Sequence, residues 1–353
     1  MILSRHPRAH LVAVASAVPP HGVDRARAVA GLCALFPGED PGFVRRLVER
    51  SGVDERRVVL PVDEIVAGAS FTERNDVYQR AALELSLDAA RLALERAGIV
   101  ARKVDAVLDV SCTGIAIPAL DVELVPRLGL RPDVRRIPIT EAGCAGGALG
   151  LGLGAQLAQC GMTTLLVTVE LCTLSLCQGD RTRANLVAGA LFGDGAAAAV
   201  IAPDASGPEV LAVGSHLFEK TRELMGFDVG THGMRIVLQR ELPDVLAERL
   251  KGVVEGFLAD HGRSLADVGL HLVHPGGRRI MDTYAALFGL APEELRFSRE
   301  SLRRFGNLSS ASVLTVLEMA LADDATVPFG TEALVLGIGP GLSAEMALLA
   351  WEG

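Results

Sequence analysis

The chain of 353 residues is long enough for about two domains. Half of its residues are hydrophobic and 22% are charged, which excludes a disordered chain and predicts a sizeable buried core. The net charge is −9, whereas proteins that bind nucleic acid generally are basic, so we expect no nucleic-acid partner, and any anionic ligand must meet a local basic patch.

Two apolar stretches near the start and middle of the chain need separate interpretations. Residues 11–18 resemble the apolar core of a signal peptide, but the run is at the short end for such a core. Apolar residues alternate along it up to Pro19, which predicts a first strand. The uncharged stretch between Glu141 and Glu170 is long enough to span a bilayer. Its many glycines and a break near Gly161 predict a buried helix followed by a buried strand. We therefore expect no stable insertion of this stretch into a membrane.

Helical and strand patterns alternate along the rest of the chain. Apolar residues at steps of three and four predict a helix that begins at Asn75-Asp76 and ends at Gly98. A second amphipathic helix is predicted over 246–257. Strand-like runs, in chain order, lie at 106–110, 165–169, 196–201, 270–273, 333–336 and 346–350. This alternation is typical of α/β proteins, and its recurrence after about residue 205 predicts two similar halves, 1–205 and 206–353.

The cysteines are dispersed, and no two of them form a Cys-x-x-Cys pair. A disulfide framework and a zinc site are therefore both disfavoured. We predict reduced thiols and a cytoplasmic location. The six cysteines are Cys33, Cys112, Cys144, Cys160, Cys172 and Cys177.

Cys144 is the candidate nucleophile. It follows a strand-like run, lies between glycines and precedes a small-residue helix pattern. A thiol near a helix N-terminus has its thiolate form favoured by the helix dipole, so we predict a lowered pKa. A buried structural cysteine is the alternative.

Two further polar residues are candidate partners of Cys144. His274 ends a buried strand before Pro-Gly-Gly, and such strand ends carry ligands in α/β proteins. Asn307 lies in a Gly-Asn-Leu-Ser-Ser turn. The order Cys, His, Asn also occurs in papain-like proteases, which leaves a cysteine protease as an alternative, although the Cys context of that family is missing.

Five motifs in this order resemble the type III polyketide synthases, the chalcone and stilbene synthase family of condensing enzymes, in a bacterial-type member. They are Gly143-Cys-Ala-Gly-Gly, Ala190-Leu-Phe-Gly-Asp-Gly-Ala-Ala-Ala, His274-Pro-Gly-Gly, Gly306-Asn-Leu-Ser-Ser-Ala and Gly337-Ile-Gly-Pro-Gly-Leu-Ser. The β-ketoacyl-carrier-protein synthases III share Cys, His and Asn but lack the His-Pro-Gly-Gly context and the Gly-Pro-Gly loop. They remain the second interpretation.

The resemblance implies a thiolase fold with five αβαβα layers built from two similar halves. It also implies a homodimer that uses an acyl-CoA starter and malonyl-CoA, with no metal and no organic cofactor. Cys144 would take the starter as a thioester, with His274 holding the thiolate as an ion pair. His274 and Asn307 would then donate hydrogen bonds to the enolate that forms when malonyl-CoA loses CO₂. A catalytic carboxylate is not expected, because it would repel the malonyl anion.

Matching to the family also assigns gate and cavity positions. Phe192 corresponds to one gating phenylalanine between the CoA tunnel and the cavity, whereas Ile236 stands where the family has the second. Cavity walls fall on Cys112, Thr113, Ile117, Cys172, Leu174, Ser175, Gly339, Pro340 and Gly341, with Ile117 expected to reach the partner's cavity. These small, soft walls predict fatty acyl starters and an alkylpyrone or alkylresorcinol, formed by cyclisation to a pyrone or a phenol.

CoA recognition is expected from arginines and from close backbone approach. The basic cluster of Arg45, Arg46, Arg50, Arg56 and Arg57 lies where the family has its CoA-contacting cations. Within it we predict Arg50 and Arg56 as CoA contacts. Gly276, Gly277 and Ser309 complete the predicted CoA-binding set.

Overall fold

A computed structural model describes residues 7–177, 179–231, 233–323 and 327–351. Its strands are β1 (Ala9–Ala17), β2 (His21–Asp24), β3 (Glu55–Val58), β4 (Ala106–Val110), β5 (Arg135–Ile139), β6 (Thr164–Leu171), β7 (Asp194–Pro203), β8 (Glu209–Leu217), β9 (Met225–Gly230), β10 (Gly233–Leu238), β11 (Val268–Val273), β12 (Glu332–Gly339) and β13 (Ser343–Ala350). Its helices are α1 (Arg25–Leu35), α2 (Pro41–Ser51), α3 (Val62–Ala67), α4 (Phe71–Ala97), α5 (Asp121–Leu128), α6 (Gly146–Gln159), α7 (Arg183–Leu191), α8 (Leu242–Asp260), α9 (Arg278–Phe288), α10 (Arg296–Phe305) and α11 (Ala311–Ala322). The predicted strands are all present, and most of them are longer than predicted.

Nine strands follow one continuous pairing order, β11-β12-β13-β8-β1-β7-β6-β4-β5. Only one pair of described residues joins β8 to β1, so the order divides there into two mixed sheets. The first sheet has the order β5-β4-β6-β7-β1 and the second has the order β11-β12-β13-β8. In each sheet, parallel pairing at one end gives way to antiparallel pairing at the other. His10 of β1 pairs with Glu209 of β8, which joins the two sheets.

Helices α6 and α11 form a buried layer between the sheets. Most of their residues are inaccessible to solvent, and each helix contacts strands of both sheets. Helix α4 covers the outer face of the first sheet, and α8 packs its apolar side chains on the second. The order of layers is therefore αβαβα, which confirms the predicted thiolase-like fold.

The two inner helices approach each other very closely. A Cβ atom on Gly147 of α6 would lie 2.3 Å from the carbonyl oxygen of Ser310, the residue before α11. Only glycine avoids that clash without moving one of the helices. The spacing between the start of α6 and the start of α11 is thereby fixed.

Two sequence-based boundaries can be compared with the structure. Helix α4 begins at Phe71 rather than at Asn75-Asp76, because Ser70 and Glu73 form a reciprocal capping box. The uncharged stretch contains α6 and β6, and Gly161 (φ +83°) follows the helix as predicted. Among the described residues, no helix combines the length and apolarity needed to cross a membrane.

Candidate active site

Cys144 lies in a short 3-10 turn, Gly143–Ala145, that runs directly into α6. Gly143 adopts φ +52°, and a Cβ there would lie 2.4 Å from the ring of Pro340. A Cβ on Gly339 would in turn lie 2.6 Å from the Ala142 carbonyl oxygen. The predicted Gly339-Pro340-Gly341 loop therefore packs against the turn that carries the thiol, and glycine is required where the two meet.

His274 follows the last residue of β11. Its backbone N–H donates to the Leu336 carbonyl at 2.7 Å, which continues the pairing of β11 with β12. Its ring lies beside Gly276, where a Cβ would be 3.7 Å from Nε2. Nδ1 is buried and has no hydrogen-bond partner among the described residues. Among the described residues, no hydrogen bond to Nδ1 therefore fixes the tautomer of this imidazole.

Asn307 has its amide oriented by neighbours on its own turn. Oδ1 accepts hydrogen bonds from the Ser309 N–H at 2.8 Å and the Ser312 hydroxyl at 3.4 Å. Nδ2 donates to the Gly276 carbonyl at 3.5 Å, a long contact. Because the oxygen is engaged on the turn, the NH₂ group is the end of the side chain that is presented to the cavity.

Cys144, His274 and Asn307 line one cavity of about 430 Å³. Phe192 lies in the same wall, so the sequence-predicted triad and one gate residue are brought together. The other walls are apolar and come mainly from helices α7, α8 and α9 and strands β10 and β12, including Leu191, Leu238, Leu246, Leu250, Tyr284 and Ile338. A carbanion or enolate formed in such a cavity is shielded from protonation by water.

The apolar surroundings disfavour the charged form of Cys144 and the charged form of His274 when each group is considered alone. Although Cys144 is only half-buried, desolvation raises its pKa to about 12, and the Ser309 hydrogen bond offsets this only in part. Burial lowers the pKa of His274 to about 4. The predicted lowering of the Cys144 pKa is therefore wrong for the thiol on its own, since burial raises that pKa.

Glu170 is a carboxylate that the sequence interpretation did not place at the site. It lies in β6 behind Cys112 and accepts hydrogen bonds from the Cys112 N–H (3.1 Å), the Thr113 hydroxyl (2.8 Å) and the Ser310 hydroxyl (2.5 Å). Burial raises its pKa. A carboxylate is therefore present near the thiol, with its oxygens bonded to Cys112, Thr113 and Ser310. That no carboxylate takes part in catalysis stays a prediction.

Ser309, which was predicted to contact CoA, is buried beside the Cys144 thiol. It is 3% exposed, and its hydroxyl lies 3.5 Å from the Cys144 sulfur and 3.6 Å from the Cys112 sulfur. Its backbone adopts φ +48°, which the bond from its N–H to Asn307 helps to hold. Ser309 therefore links the nucleophile to the amide rather than meeting pantetheine.

Several predicted wall residues surround a second, much smaller cavity. Thr113, Leu174 and Ser175 line a space of about 10 Å³, together with Met234 of β10. Cys172 is buried beside it in a 3-10 turn. Ile236 lies on β10, two residues from Met234. These cavity assignments remain predictions.

Arg50 and Arg56 occupy different environments. Arg50 lies at the rim of the large cavity. Arg56 is buried, donates to the Phe192 carbonyl at 3.2 Å and faces Asp194, with its pKa lowered to about 10 mainly by desolvation. The prediction that Arg56 contacts CoA is therefore corrected, because the alternation of β3 turns it inward.

Other arginines at the rim were missed. Arg183, Arg240, Arg278 and Arg279 line the cavity with Arg50, and Gly276 and Gly277 lie beside them as predicted for pantetheine. Arg278 and Arg279 follow the His274-Pro-Gly-Gly motif directly, so their place at the rim could have been predicted from the sequence. Arg45, Arg46 and Arg57 are exposed on the surface.

Ile117 is 92% exposed and precedes a cis peptide bond to Pro118. Ile115 and Val122 in the same region are also exposed apolar residues. No disulfide joins cysteines of the described part of the chain. The same residues contain no cluster of three or more His, Cys, Asp or Glu arranged to hold a metal.

Comparison with known families decides which condensing enzymes the chain resembles. The family of chalcone and stilbene synthases matches as an N-terminal domain over residues 3–205 and as a C-terminal domain over residues 210–351. The chain belongs to this family, the type III polyketide synthases. The enzymes of this family are acyltransferases that condense malonyl-CoA units.

Individual type III polyketide synthases are similar over almost the whole chain. A 1,3,6,8-tetrahydroxynaphthalene synthase from Streptomyces peucetius is 40% identical, covering 97% of this chain and 93% of the relative. A putative chalcone synthase from Bacillus subtilis is 30% identical, covering 98% and 99%. The crystal structure of 1,3,6,8-tetrahydroxynaphthalene synthase from Streptomyces coelicolor superposes with a TM-score of 0.93 at 30% identity, covering 98% and 99%.

Proposed function

We propose that this polyketide synthase loads an acyl group from acyl-CoA onto Cys144 and extends it with malonyl units. It then cyclises the chain to a pyrone or a phenol. The observation that carries the proposal is the convergence of Cys144, His274 and Asn307 on one apolar cavity with an arginine rim. The rim provides cations for the CoA phosphates, while the interior provides a dry reaction space.

In the loading step, the Cys144 sulfur attacks the thioester carbonyl and CoA leaves as its thiol. The Cys144 proton passes to His274, whose Nδ1 has no hydrogen-bond partner among the described residues, and then from His274 to the sulfur of the leaving CoA. Burial penalises each charge alone, but a thiolate beside an imidazolium has no net charge. We therefore propose that Cys144 and His274 become charged together, in a single proton transfer, and that their pKa values are not shifted independently.

In the extension step, malonyl-CoA loses CO₂ and its electron pair becomes an enolate. The Asn307 NH₂ group and the ring N–H of His274, which is neutral again once CoA has left, donate hydrogen bonds to the enolate oxygen. The enolate carbon attacks the Cys144 thioester, a C–C bond forms, and the thiolate leaves. Transfer of the lengthened chain from CoA back to Cys144 resets the site for another condensation.

For the starter, the apolar walls favour an alkyl chain over a phenolic ring. The large cavity presents leucines, isoleucine and a tyrosine whose hydroxyl already bonds His271 at 2.8 Å. Few polar groups remain to orient a substituted ring. A fatty acyl starter and an alkylpyrone or alkylresorcinol product are the first candidate.

A second candidate is an aromatic product made from malonyl units alone. It is favoured by the 40% identical relative, named for tetrahydroxynaphthalene. The ten ring carbons of a naphthalene correspond to five two-carbon units, so no long starter is needed. The small volume around Thr113, Leu174 and Ser175 also suits short groups better than long ones.

We further propose a homodimer in the cytoplasm. Among the described residues, β5 pairs with β4 alone and so lies at the edge of its sheet. The exposed Ile115, Ile117 and Val122 belong to the neighbouring segment. Burial of these side chains against a second copy would remove them from water. CoA thioesters are cytoplasmic metabolites, and the free thiols are compatible with a reducing compartment.

The decisive experiment incubates purified protein with malonyl-CoA, with and without saturated acyl-CoAs, and identifies products by mass spectrometry. Alkyl-bearing products support the first candidate, and an aromatic from malonyl-CoA alone supports the second. A single condensation that requires malonyl-carrier protein would instead support the synthase III interpretation, and peptide hydrolysis would support the protease. Cys144→Ala should abolish every product, whereas Cys160→Ala, an exposed control cysteine, should abolish none.

A further inference from the structure

A slot between α8 and α9 extends the large cavity beyond the reacting groups. Its lining residues are Leu242, Leu246 and Leu250 on α8, and Ile280, Thr283, Tyr284 and Leu287 on α9. Residues at such spacings lie on one side of a helix, so each set forms a single face. At 1.5 Å per residue, the lining runs about 12 Å along α8 and about 10 Å along α9, which is two turns of each helix.

The mouth of the slot lies where both helices begin. Arg279, in the first turn of α9, forms an ion pair at 3.5 Å with Asp244, in the first turn of α8. Arg279 belongs to the rim of the cavity, and His274 lies just before α9. A CoA arm that runs from the rim to the reacting groups therefore stays at this end. Leu250 and Leu287 lie about two turns farther along the helices, off that path.

The outer face of the second sheet forms the base of the slot. Val273 of β11 and Leu336 of β12 are register partners, and both line the cavity. The ring of Tyr284 also lines it, while the Tyr284 hydroxyl lies 2.8 Å from Nδ1 of His271. His271 precedes Val273 by two residues, which places it about 7 Å farther from the catalytic end of the strand. The tyrosine hydroxyl is thus engaged by His271, and the apolar ring is the part presented to the slot.

We propose that this slot holds the alkyl part of the acyl group carried by Cys144. The inference deepens the proposed function and rests on its first candidate, a fatty acyl starter. The slot opens into the same cavity as Cys144, its lining is mainly apolar, and a space two helical turns long suits an extended chain better than a compact ring. By contrast, the wall positions matched to the family, Thr113, Leu174 and Ser175, surround only about 10 Å³.

Two positions allow the length of the slot to be changed in opposite directions. Leu250 is 3% exposed and ends the lining on α8, so its truncation should lengthen the slot. Thr283 is half-buried in the middle of the α9 lining, so phenylalanine there should occupy part of the slot. Each methylene buried should improve affinity about fourfold. Affinity should therefore rise with chain length until the slot is full and then level off.

The test measures binding of S-alkyl-CoA thioethers of increasing chain length, which cannot transfer their alkyl group, by isothermal titration calorimetry. In wild type, Kd should fall about fourfold per methylene before it reaches a plateau. Leu250→Ala should move the plateau to longer chains, and Thr283→Phe should move it to shorter ones. The matched controls are Leu258→Ala, buried on α8 but outside the cavity, and Ala286→Phe, exposed on α9. Both controls should keep the wild-type plateau.

Because binding needs no turnover, its outcome is separate from that of the proposed function. If the protein makes no polyketide while the plateau moves as stated, the proposed function fails and the slot stands as an alkyl site. If wild-type affinity does not depend on chain length, or if both slot variants match their controls, the slot does not hold the chain. Leu250→Val, a milder truncation, should give a smaller shift, and it replaces the alanine variant if that one does not fold.

A kinetic readout ties the slot to the acyl group on Cys144. The chain length that gives the highest kcat/KM for acyl-CoA starters should move in the same direction as the binding plateau in Leu250→Ala and Thr283→Phe. An optimum that stays fixed while the plateau moves would show that the slot holds an alkyl group other than the one carried by Cys144.

Discussion

The backbone of Asn307 is hydrogen-bonded to both neighbours of Phe192. The Asn307 N–H donates to the Leu191 carbonyl at 2.9 Å, and the Gly193 N–H donates to the Asn307 carbonyl at 3.0 Å. Asn307 and Phe192 thus form a parallel bridge outside the main sheets. The proposed enolate donor and the gate residue cannot shift relative to each other without breaking these bonds.

Arg56 supports this bridge from behind, which gives the first prediction. Arg56→Met removes the donor to the Phe192 carbonyl and the cation that faces buried Asp194. We expect a loss of about 2 kcal/mol of unfolding free energy and a lower rate of malonyl-CoA decarboxylation, with little change in KM for CoA thioesters. Urea unfolding and steady-state kinetics measure both. Arg57→Met, an exposed neighbour, is the control; a raised KM with unchanged stability would restore Arg56 as a CoA contact.

Asn307→Ala should separate the two half-reactions. The amide is proposed to act on the enolate, so decarboxylation of malonyl-CoA should fall by about 10²–10³-fold. Transfer of a starter to Cys144, measured as an acyl mass on its peptide, should be nearly unaffected. Equal damage to both steps would indicate that Asn307 only supports the turn through its bonds to Ser309 and Ser312.

The pH dependence of Cys144 alkylation should depend on His274. Burial alone raises the Cys144 pKa to about 12, so the thiol reacts near neutral pH only if His274 accepts its proton. His274→Ala should therefore move the iodoacetamide inactivation profile to higher pH and slow the reaction at pH 7. An unchanged profile would contradict the proposed ion pair. Alkylation of the exposed Cys160, followed in the same samples, controls for reagent chemistry.

A buried histidine outside the proposed ion pair should make the protein less stable in acid. Burial lowers the pKa of His271 to about 4, from an ordinary value of 6.5. The contribution of His271 to stability is complete above pH 6.5 and is lost as the pH falls through about 4, because the unfolded state then binds more protons. It amounts to about 3 kcal/mol over that window.

His271 and His274 provide a matched pair of variants. His271→Ala should flatten the fall in unfolding free energy between pH 6.5 and 4. Only His274→Ala should abolish condensation, since His271 bonds Tyr284 and is not one of the three proposed reacting groups. Unfolding free energies of wild type and His271→Ala that fall in parallel with pH would show that burial does not hold His271 neutral.

The predicted cavity wall can be tested by adding volume. Cys172→Phe or Cys112→Phe should shorten the preferred acyl starter if these positions line the acyl channel. Cys33→Phe is the control for overpacking, because Cys33 is half-buried where α1 packs against α2. A length profile that is unchanged in the first two variants would show that the channel lies elsewhere.

The sequence allowed prediction of the reactive groups because their neighbours are chemically distinctive. Glycines beside Cys144, Pro-Gly-Gly after His274 and the Ser-rich turn after Asn307 all mark backbone that must approach another segment closely. The layered fold followed from the same motifs and from alternating helices and strands. These features depend on local sequence, and the structure confirms that the three residues share one cavity.

Features that depend on register were not predictable in the same way. Arg56 and Arg57 are adjacent, and only the pairing of β3 with β2 decides which of them faces inward. Glu170 did offer a signal, a single carboxylate in an apolar strand, but its partners come from two distant segments.

The close approach of α6 to α11 at Gly147 has a consequence for how this molecule can change. The thiol and the amide are attached to these two inner helices, whereas much of the surrounding wall comes from α8, α9 and the β9–β10 hairpin outside them. Substitutions in the outer parts can reshape the space offered to a substrate while the distance between the reacting groups stays constant. Reactivity and selectivity are therefore separable traits in this chain, and a change of product requires no change in chemistry.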